Sequence, residues 1–175
     1  MTNVEIQVAV KAAVKNGNWI IRGDNGGVSA SDDANGFKWN SVGEWTEAPD
    51  WNEKPECGGG LHGQDKDFGG FICGTRLVFC DTEGAHIPIG GNKVKVRRAR
   101  ILLINELPAL PNCISLDVSW TQITEIPELP NCTSLDVSGT RITKLPALPN
   151  CTSLDVRRTR IKKLPALPKG ATVYK

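Results

Sequence analysis

A 19-residue period fills residues 107–175 and constrains the fold of this chain more than any other feature. Three units align without gaps: LPALPNCISLDVSWTQITE from Leu107, IPELPNCTSLDVSGTRITK from Ile126 and LPALPNCTSLDVRRTRIKK from Leu145. A fourth unit starts at Leu164 and stops after twelve residues. Near-identity at a fixed period predicts stacked copies of one supersecondary unit, and such stacks form extended binding surfaces.

Each unit places its apolar residues at fixed positions, which in the first unit are Cys113, Leu116, Val118, Ile123, Ile126 and Leu129. Leu116 and Val118 alternate with polar residues, which is the period of a half-exposed strand. Strands of successive units are therefore expected to pair in parallel, about 4.8 Å apart, and Ala171–Lys175 to add a short last strand. The outward positions then form columns: Ser115, Ser134 and Ser153; Asp117, Asp136 and Asp155; Ser119, Ser138 and Arg157; Trp120, Gly139 and Arg158.

The spacing CxxLxVxxTxIxxLPxLP resembles leucine-rich repeats, and the short unit with its LPxLP segment is most similar to the class found in bacterial effector proteins. The resemblance covers residues 107–169. One departure is that Thr121, Thr140 and Thr159 replace the usual Asn, although a hydroxyl can still bond backbone groups in the turn. The resemblance implies a short parallel-β solenoid that binds a protein partner through its strand-bearing face.

Several residues of this array are candidates for binding. Carboxylates stacked in a column suit calcium, but no Gly-Asp-rich calcium loop accompanies them, so bonds to nearby serines or arginines are favoured. An exposed Trp120 is a good anchor for a partner, and packing on the N-terminal region is the alternative. The candidate binding residues of the array are Asp117, Trp120, Asp136, Asp155, Arg157 and Arg158.

Residues 1–106 are predicted to form a separate α+β domain that is mostly β. Thr2 and Glu5 form a capping box, and Asn16-Gly17 ends the helix that follows. Four of the five tryptophans lie in this region, which predicts an aromatic core. The predicted strands are Trp19–Arg22, Phe37–Trp39, Glu44–Ala48, Phe71–Cys80 and Lys93–Ile104. The segment VRRARI at 96–101 echoes VRRTRI at 156–161, which predicts that the array begins there as a degenerate repeat.

Two segments of the N-terminal region, APDW (48–51) and CGGGLHG (57–63), resemble an uncharacterised module of bacterial and phage proteins, and KVKVRR (93–98) stands where that module carries KVKF followed by proline. The match covers roughly residues 18–104, and it implies no established activity. Within it Cys57 could act as a nucleophile with His62 as its base, or both could bind a metal with Cys73 and Cys80. Asp50 and Trp51 are candidate binding residues at the edge of a pocket. The favoured alternative is structural, with glycines in a tight turn and cysteines in the core.

Charge is distributed unevenly along the chain. Residues 145–175 hold seven basic residues against Asp155 alone, so they attract nucleic acid or an acidic protein, or else form the solvated cap that a repeat array needs. The cysteines at the shared repeat position (Cys113, Cys132, Cys151) are expected in the interior, which leaves three and argues against a disulfide framework. This favours a reducing compartment.

No apolar run reaches the ~20 residues of a membrane span, and the first 20 residues do not resemble a signal peptide. These patterns predict a cytoplasmic protein without a membrane segment or cofactor, and an effector exported by another route would look the same. The resemblances imply a bacterial or phage origin. The leading hypothesis is a protein-interaction module. One alternative is a small-molecule-binding, nucleotide-binding or transferase-like enzyme centred on Cys57 and His62. The other is a nucleic-acid binder that uses residues 93–100 and the basic end.

Overall fold

The computed structural model describes residues 1–28, 37–70 and 74–175, and these residues form mostly strands with one helix. Helix α1 (Asn3–Asn16) begins at the predicted capping box, in which Thr2 and Glu5 bond each other's backbone N–H groups. It ends at Gly17, whose φ of 71° closes the helix in the left-handed region that glycine favours. The predicted helix is therefore confirmed at both ends.

Eleven strands follow the helix in the described part of the chain. They are β1 (Trp19–Asp24), β2 (Trp45–Glu47), β3 (Leu61–Gly63), β4 (Arg76–Glu83), β5 (Ile87–Ile89), β6 (Lys93–Val96), β7 (Arg98–Ile104), β8 (Ser115–Asp117), β9 (Ser134–Asp136), β10 (Ser153–Asp155) and β11 (Thr172–Tyr174). Two sheets are antiparallel, with strand orders β1-β4-β7-β2 and β3-β6-β5. The third sheet is parallel, in the order β11-β10-β9-β8.

Several sequence-based predictions for residues 1–106 need correction. The predicted strand Lys93–Ile104 divides at Arg97 into β6 and β7, which belong to different sheets. Since β7 pairs antiparallel with β4, residues 96–101 are not a degenerate repeat, and that prediction was wrong. Phe37–Trp39 forms only a single bridge from Lys38 to Val28, and β3 and β5 were not among the predicted strands. The start of the predicted strand Phe71–Cys80 lies outside the described residues.

The parallel sheet follows the 19-residue period residue by residue. Leu116, Leu135 and Leu154 stand opposite one another in β8, β9 and β10, and Val173 extends the row into β11. The cysteines predicted to lie inside are buried, with Cys113 at 1% exposure and Cys132 and Cys151 at 0%. The 19-residue spacing therefore sets the register of the parallel sheet, because equivalent residues of successive units stand opposite one another.

One hydrophobic cluster continues from the helix through the parallel sheet. It joins Val10 of α1 and Phe79 of β4 to the stacked leucines of the repeated units. A second cluster, which includes Trp39, Val94 and Ile101, lies between the two antiparallel sheets. The core is therefore continuous across residues 106 and 107, where a domain boundary was predicted. In the described residues, no helix has the length and apolar character needed to cross a membrane.

The β8 edge of the parallel sheet is covered by residues 64–69 rather than by another strand. The side-chain amide of Gln64 donates to the carbonyl of Asp117 (2.5 Å) and accepts from the Asp117 N–H (3.1 Å). Lys66 accepts the Ile114 N–H through its carbonyl (2.9 Å). A side chain at Gly69 would meet the Ser115 carbonyl at 2.5 Å, so only glycine permits this approach. We call residues 64–69 the edge cover.

Candidate functional site

The turn that follows each strand of the array presents one residue at the same place on the surface. These residues are Trp120, Gly139 and Arg158, with φ angles of 60°, 67° and 57°, and we call them the turn row. A positive φ at the third position of a turn is the type II pattern, which favours glycine. Only Gly139 meets this preference, so Trp120 and Arg158 each hold a backbone conformation that costs about 1 kcal/mol.

Hydrogen bonds hold the turn row in register. The Trp120 N–H donates to the carbonyl of Ser138 (2.8 Å), and the Gly139 N–H donates to that of Arg157 (2.9 Å). Thr121 closes its turn by donating its hydroxyl to the Val118 carbonyl (2.7 Å), and the equivalent threonines do the same. The hydroxyl thus bonds a backbone group in the turn, as expected for a threonine in place of the usual Asn.

The indole of Trp120 lies across the neighbouring unit. A Cβ at Gly139 would come within 2.8 Å of its ring atoms Cδ2 and Cε3, so the glycine makes room for the ring. The guanidinium of Arg158 lies 5.2 Å from the ring centroid, within the range of a cation–π contact. Trp120 nevertheless remains 54% exposed. An aromatic surface spanning three units results, held by a strained backbone and open to solvent.

The aspartate column serves the backbone of the turns. The carboxylates of Asp117, Asp136 and Asp155 each accept the N–H of the residue two positions later, at 2.9, 2.8 and 3.0 Å. Asp155 also binds the Arg157 guanidinium at 2.6 Å. These bonds agree with the favoured interpretation of the column. The neighbouring column was wrongly placed outside at two of its three positions, because Ser119 and Ser138 are buried, whereas Arg157 is exposed as predicted.

The pKa values of two of these aspartates are shifted in opposite directions. Burial raises the pKa of Asp117, and the nearby Asp136 and Asp155 carboxylates add to this, although Ser119 opposes it. For Asp155 burial also raises the pKa, but the Arg157 guanidinium and N–H outweigh it, so the pKa is lowered. Arg157 additionally lies 5.6 Å from the Tyr174 ring centroid, which links β11 to the end of the turn row.

The structure does not join Cys57 and His62 as a nucleophile with its base. Cys57 is exposed in the loop before β3, whereas the Nε2 atom of His62 is buried without a hydrogen-bond partner. Burial lowers the pKa of His62, and the charges of Arg22 and Lys95 lower it further. No hydrogen bond between these two described residues connects the thiol to the imidazole.

No group of three potential metal-ligating side chains occurs within residues 1–28, 37–70 and 74–175. Cys80, one candidate ligand, is fully buried in β4, and burial raises the pKa of its thiol to about 12. Another candidate, Cys73, lies outside the described residues. The suggested site with Cys57 and His62 therefore has no support in the part of the chain that is described.

Asp50 and Trp51 belong to a loop fastened by a buried lysine. Lys95 is 0% exposed, and its ammonium donates to the Asn52 side-chain oxygen and the Gly58 carbonyl, both at 3.0 Å. It also lies 5.9 Å from the Trp51 ring centroid. Asp50 accepts the Gly59 N–H at 3.2 Å. The loop that contains Asp50 and Trp51 therefore folds around the Lys95 ammonium group, which gives both predicted binding residues a structural role.

A cleft of about 810 Å³ lies beside this loop, and Trp51 forms part of its wall. The histidine that lines it is His86, whereas neither Cys57 nor His62 does. Its two guanidinium groups are bound by carboxylates, Arg97 by Glu47 and Arg98 by Glu83. The polar groups of the cleft thus largely satisfy one another, which leaves few of them to bind a ligand.

His86 is the centre of a hydrogen-bonded chain that sequence reasoning missed. Its Nδ1 lies 2.9 Å from the Asp65 carboxylate, and its Nε2 lies 2.9 Å from the Thr82 hydroxyl. This resembles the order of a catalytic triad, but Thr82 is only 2% exposed and does not line the cleft. The chain therefore ties the edge cover to β4. No motif marks these three residues, because they meet only in the folded chain.

Lowering the pH should reduce the stability that the Asp65 carboxylate contributes through its bond to His86. Burial raises the pKa of Asp65, but bonds from His86 and two backbone N–H groups outweigh it, so the pKa falls below its ordinary 3.8. A lowered pKa gives stability that is present above the unfolded value and is lost as pH falls through the folded value. We expect the difference in unfolding free energy between wild type and Asp65→Asn to be constant above pH ~5 and to shrink below pH ~4. Urea unfolding from pH 3 to 7 measures it; a difference that persists unchanged at pH 3 would contradict the assignment.

The basic strand proposed for nucleic-acid binding presents few unpaired charges. Lys95 is buried, and Arg100 binds Asp81 at 2.7 Å. Arg97 and Arg98 form ion pairs with Glu47 and Glu83 in the cleft.

No protein-family model matches this chain, and no match is found among curated proteins or solved structures. Among the described residues, the turn row is the surface with the most specific geometry, since an exposed tryptophan is held there at a positive φ.

Proposed function

We propose that the chain is a protein-binding module in which residues 107–175 form a short leucine-rich-repeat solenoid and Trp120 anchors the partner. The observation that carries the proposal is an exposed tryptophan held where an unstrained turn needs glycine. Backbone strain of this kind is retained where surrounding structure compensates for it, and it clusters at sites of function. A protein of bacterial or phage origin and a cytoplasmic location belong to the same proposal.

The chemistry of the turn row favours a protein partner. Tryptophan and arginine are the residues most enriched among those that dominate binding energy, and here Trp120 and Arg158 are in contact. The ring is partly ordered by Gly139 and the guanidinium before any partner arrives, which reduces the entropy lost on binding. This moves the proposed contact surface from the aspartate column to the turns beside it.

The test replaces Trp120 with the residue that the second unit carries at the same position. We expect Trp120→Gly to lower the retention of a specific protein from bacterial lysate at least about tenfold. Its unfolding free energy should change by less than about 1 kcal/mol, because relief of the backbone strain offsets the lost ring contacts. Affinity capture read by quantitative mass spectrometry and urea unfolding give the two values.

The array supplies a matched control. Ile114 is 42% exposed, and its equivalents in the next two units are Thr133 and Thr152. Ile114→Thr therefore removes exposed apolar surface from the first unit without touching the turn row, and it should keep the partner. If Trp120→Gly retained every protein that wild type captures, the turn row would not be the binding surface.

A further inference from the structure

We propose that the partner bound by the turn row is an acidic polypeptide segment, which also contacts exposed basic residues of the second and third units. This inference rests on the proposed function and names the chemistry of its partner. The cations concerned are exposed residues of the second and third units: Arg141, Lys144, Arg158, Arg160, Lys162 and Lys163.

These six cations form no ion pair with a carboxylate of the described residues. The structure describes all of residues 107–175, and the ion pair formed there is that of Arg157 with Asp155. Within residues 1–28, 37–70 and 74–175, no carboxylate oxygen lies within 4.0 Å of any of the six cations. The contrast with the N-terminal region is clear, since Arg97, Arg98 and Arg100 each hold one. The positive charge of the array is therefore available to an external anion.

The parallel register makes these charges repeat at short distances. Arg141 and Arg160 occupy the same position in successive units, and so do Lys144 and Lys163. Because the Arg160 N–H donates to the Ile142 carbonyl at 3.2 Å, the two units stay in contact beyond their strands, and like charges that recur along the stack raise each other's energy. A bound carboxylate relieves this repulsion, and the field of the row also steers an acidic chain towards it.

An acidic protein fits this surface better than a nucleic acid does. Binding of single strands generally uses several aromatic platforms along a basic groove, whereas the turn row contributes one indole. Residues 1–96 carry 13 acidic against 9 basic residues, which opposes a phosphate backbone extending over the rest of the molecule. One exposed tryptophan in contact with Arg158, on an array that carries further exposed cations, instead suits an extended segment with carboxylates and an apolar side chain.

The direct test uses a fluorescein-labelled 15-residue peptide of glutamates with one central leucine, and a labelled 15-nucleotide oligo-dT. Fluorescence anisotropy compares the wild-type chain with Arg141→Glu/Arg160→Glu. The control is Lys11→Glu/Lys15→Glu, which makes the same change in net charge on helix α1. We expect the peptide to bind wild type and the control alike, and the array variant at least about tenfold more weakly.

The same variants in the lysate capture separate this inference from the proposed function. If Trp120→Gly loses the partner while Arg141→Glu/Arg160→Glu keeps it, the partner is not held by the basic row and the inference is overturned, although the proposed function stands. If neither variant loses a captured protein, both fail. Oligo-dT binding tighter than the peptide, lost in the array variant, would overturn the acidic polypeptide in favour of nucleic acid. Support requires peptide binding lost in the array variant, together with loss of the captured partner from that variant.

Discussion

Replacing Gln64 with leucine is expected to lower the free energy of unfolding by about 3 kcal/mol. Gln64 is 0% exposed, and its amide satisfies both the N–H and the carbonyl of Asp117 at the edge of the parallel sheet. Leucine fills a similar volume but leaves these two backbone groups without partners, each at a cost of about 1–3 kcal/mol. Urea unfolding followed by circular dichroism measures the change.

Gln122→Leu is the matched control for this prediction. Gln122 is an exposed glutamine of the first repeated unit, so the same substitution there should change the unfolding free energy by less than about 0.5 kcal/mol. If both variants lost the same unfolding free energy, the loss would come from introducing leucine and not from the hydrogen bonds of Gln64. That result would contradict the assignment of Gln64 as a substitute for a neighbouring strand.

Asn52→Ala is expected to destabilise the chain by about 2–3 kcal/mol. Its side-chain oxygen accepts from the buried ammonium of Lys95 and from the Lys54 N–H, at 3.0 and 3.1 Å. Alanine removes one of the two oxygens that compensate a fully buried charge, so the desolvation cost of the ammonium is no longer offset. The loss is read from thermal and urea unfolding.

Asn52→Asp tests whether the bond to the ammonium is the cause. Aspartate has the same shape, keeps an acceptor for both Lys95 and Lys54, and adds a charge of opposite sign. It should therefore lose less than half as much unfolding free energy as Asn52→Ala. A loss as large as that of alanine would mean that Asn52 acts through its NH₂ group, and the role assigned to Lys95 would be wrong.

Local and periodic features of this fold could be predicted from sequence. The capping box at Thr2 acts within one helical turn, so the helix limits were predictable from neighbouring residues. The 19-residue period determines the parallel register, because each unit meets a near copy of itself and Leu116 can pair only with Leu135 in the same environment. The buried position of Cys132 follows from the same repetition.

Features that depend on distant segments could not be predicted. Gln64 reaches Asp117 across 53 positions, and nothing around either residue indicates the contact. The chain of Asp65, His86 and Thr82 likewise joins three separate segments, whereas the conspicuous CGGGLHG motif drew attention to His62. For Trp120 the exposure was predictable from its column, but the strain was not, because it requires the φ angle of the turn.

The edge cover and the common register together allow the array to change length by whole units. One end of the sheet is defined by Gln64 and the other by Val173, and every interior boundary between units repeats the same pairing. Duplication or loss of one 19-residue unit in the interior would leave both ends with their present contacts. Recombination between near-identical copies could therefore lengthen or shorten the row of turns while the N-terminal part of the fold stays the same.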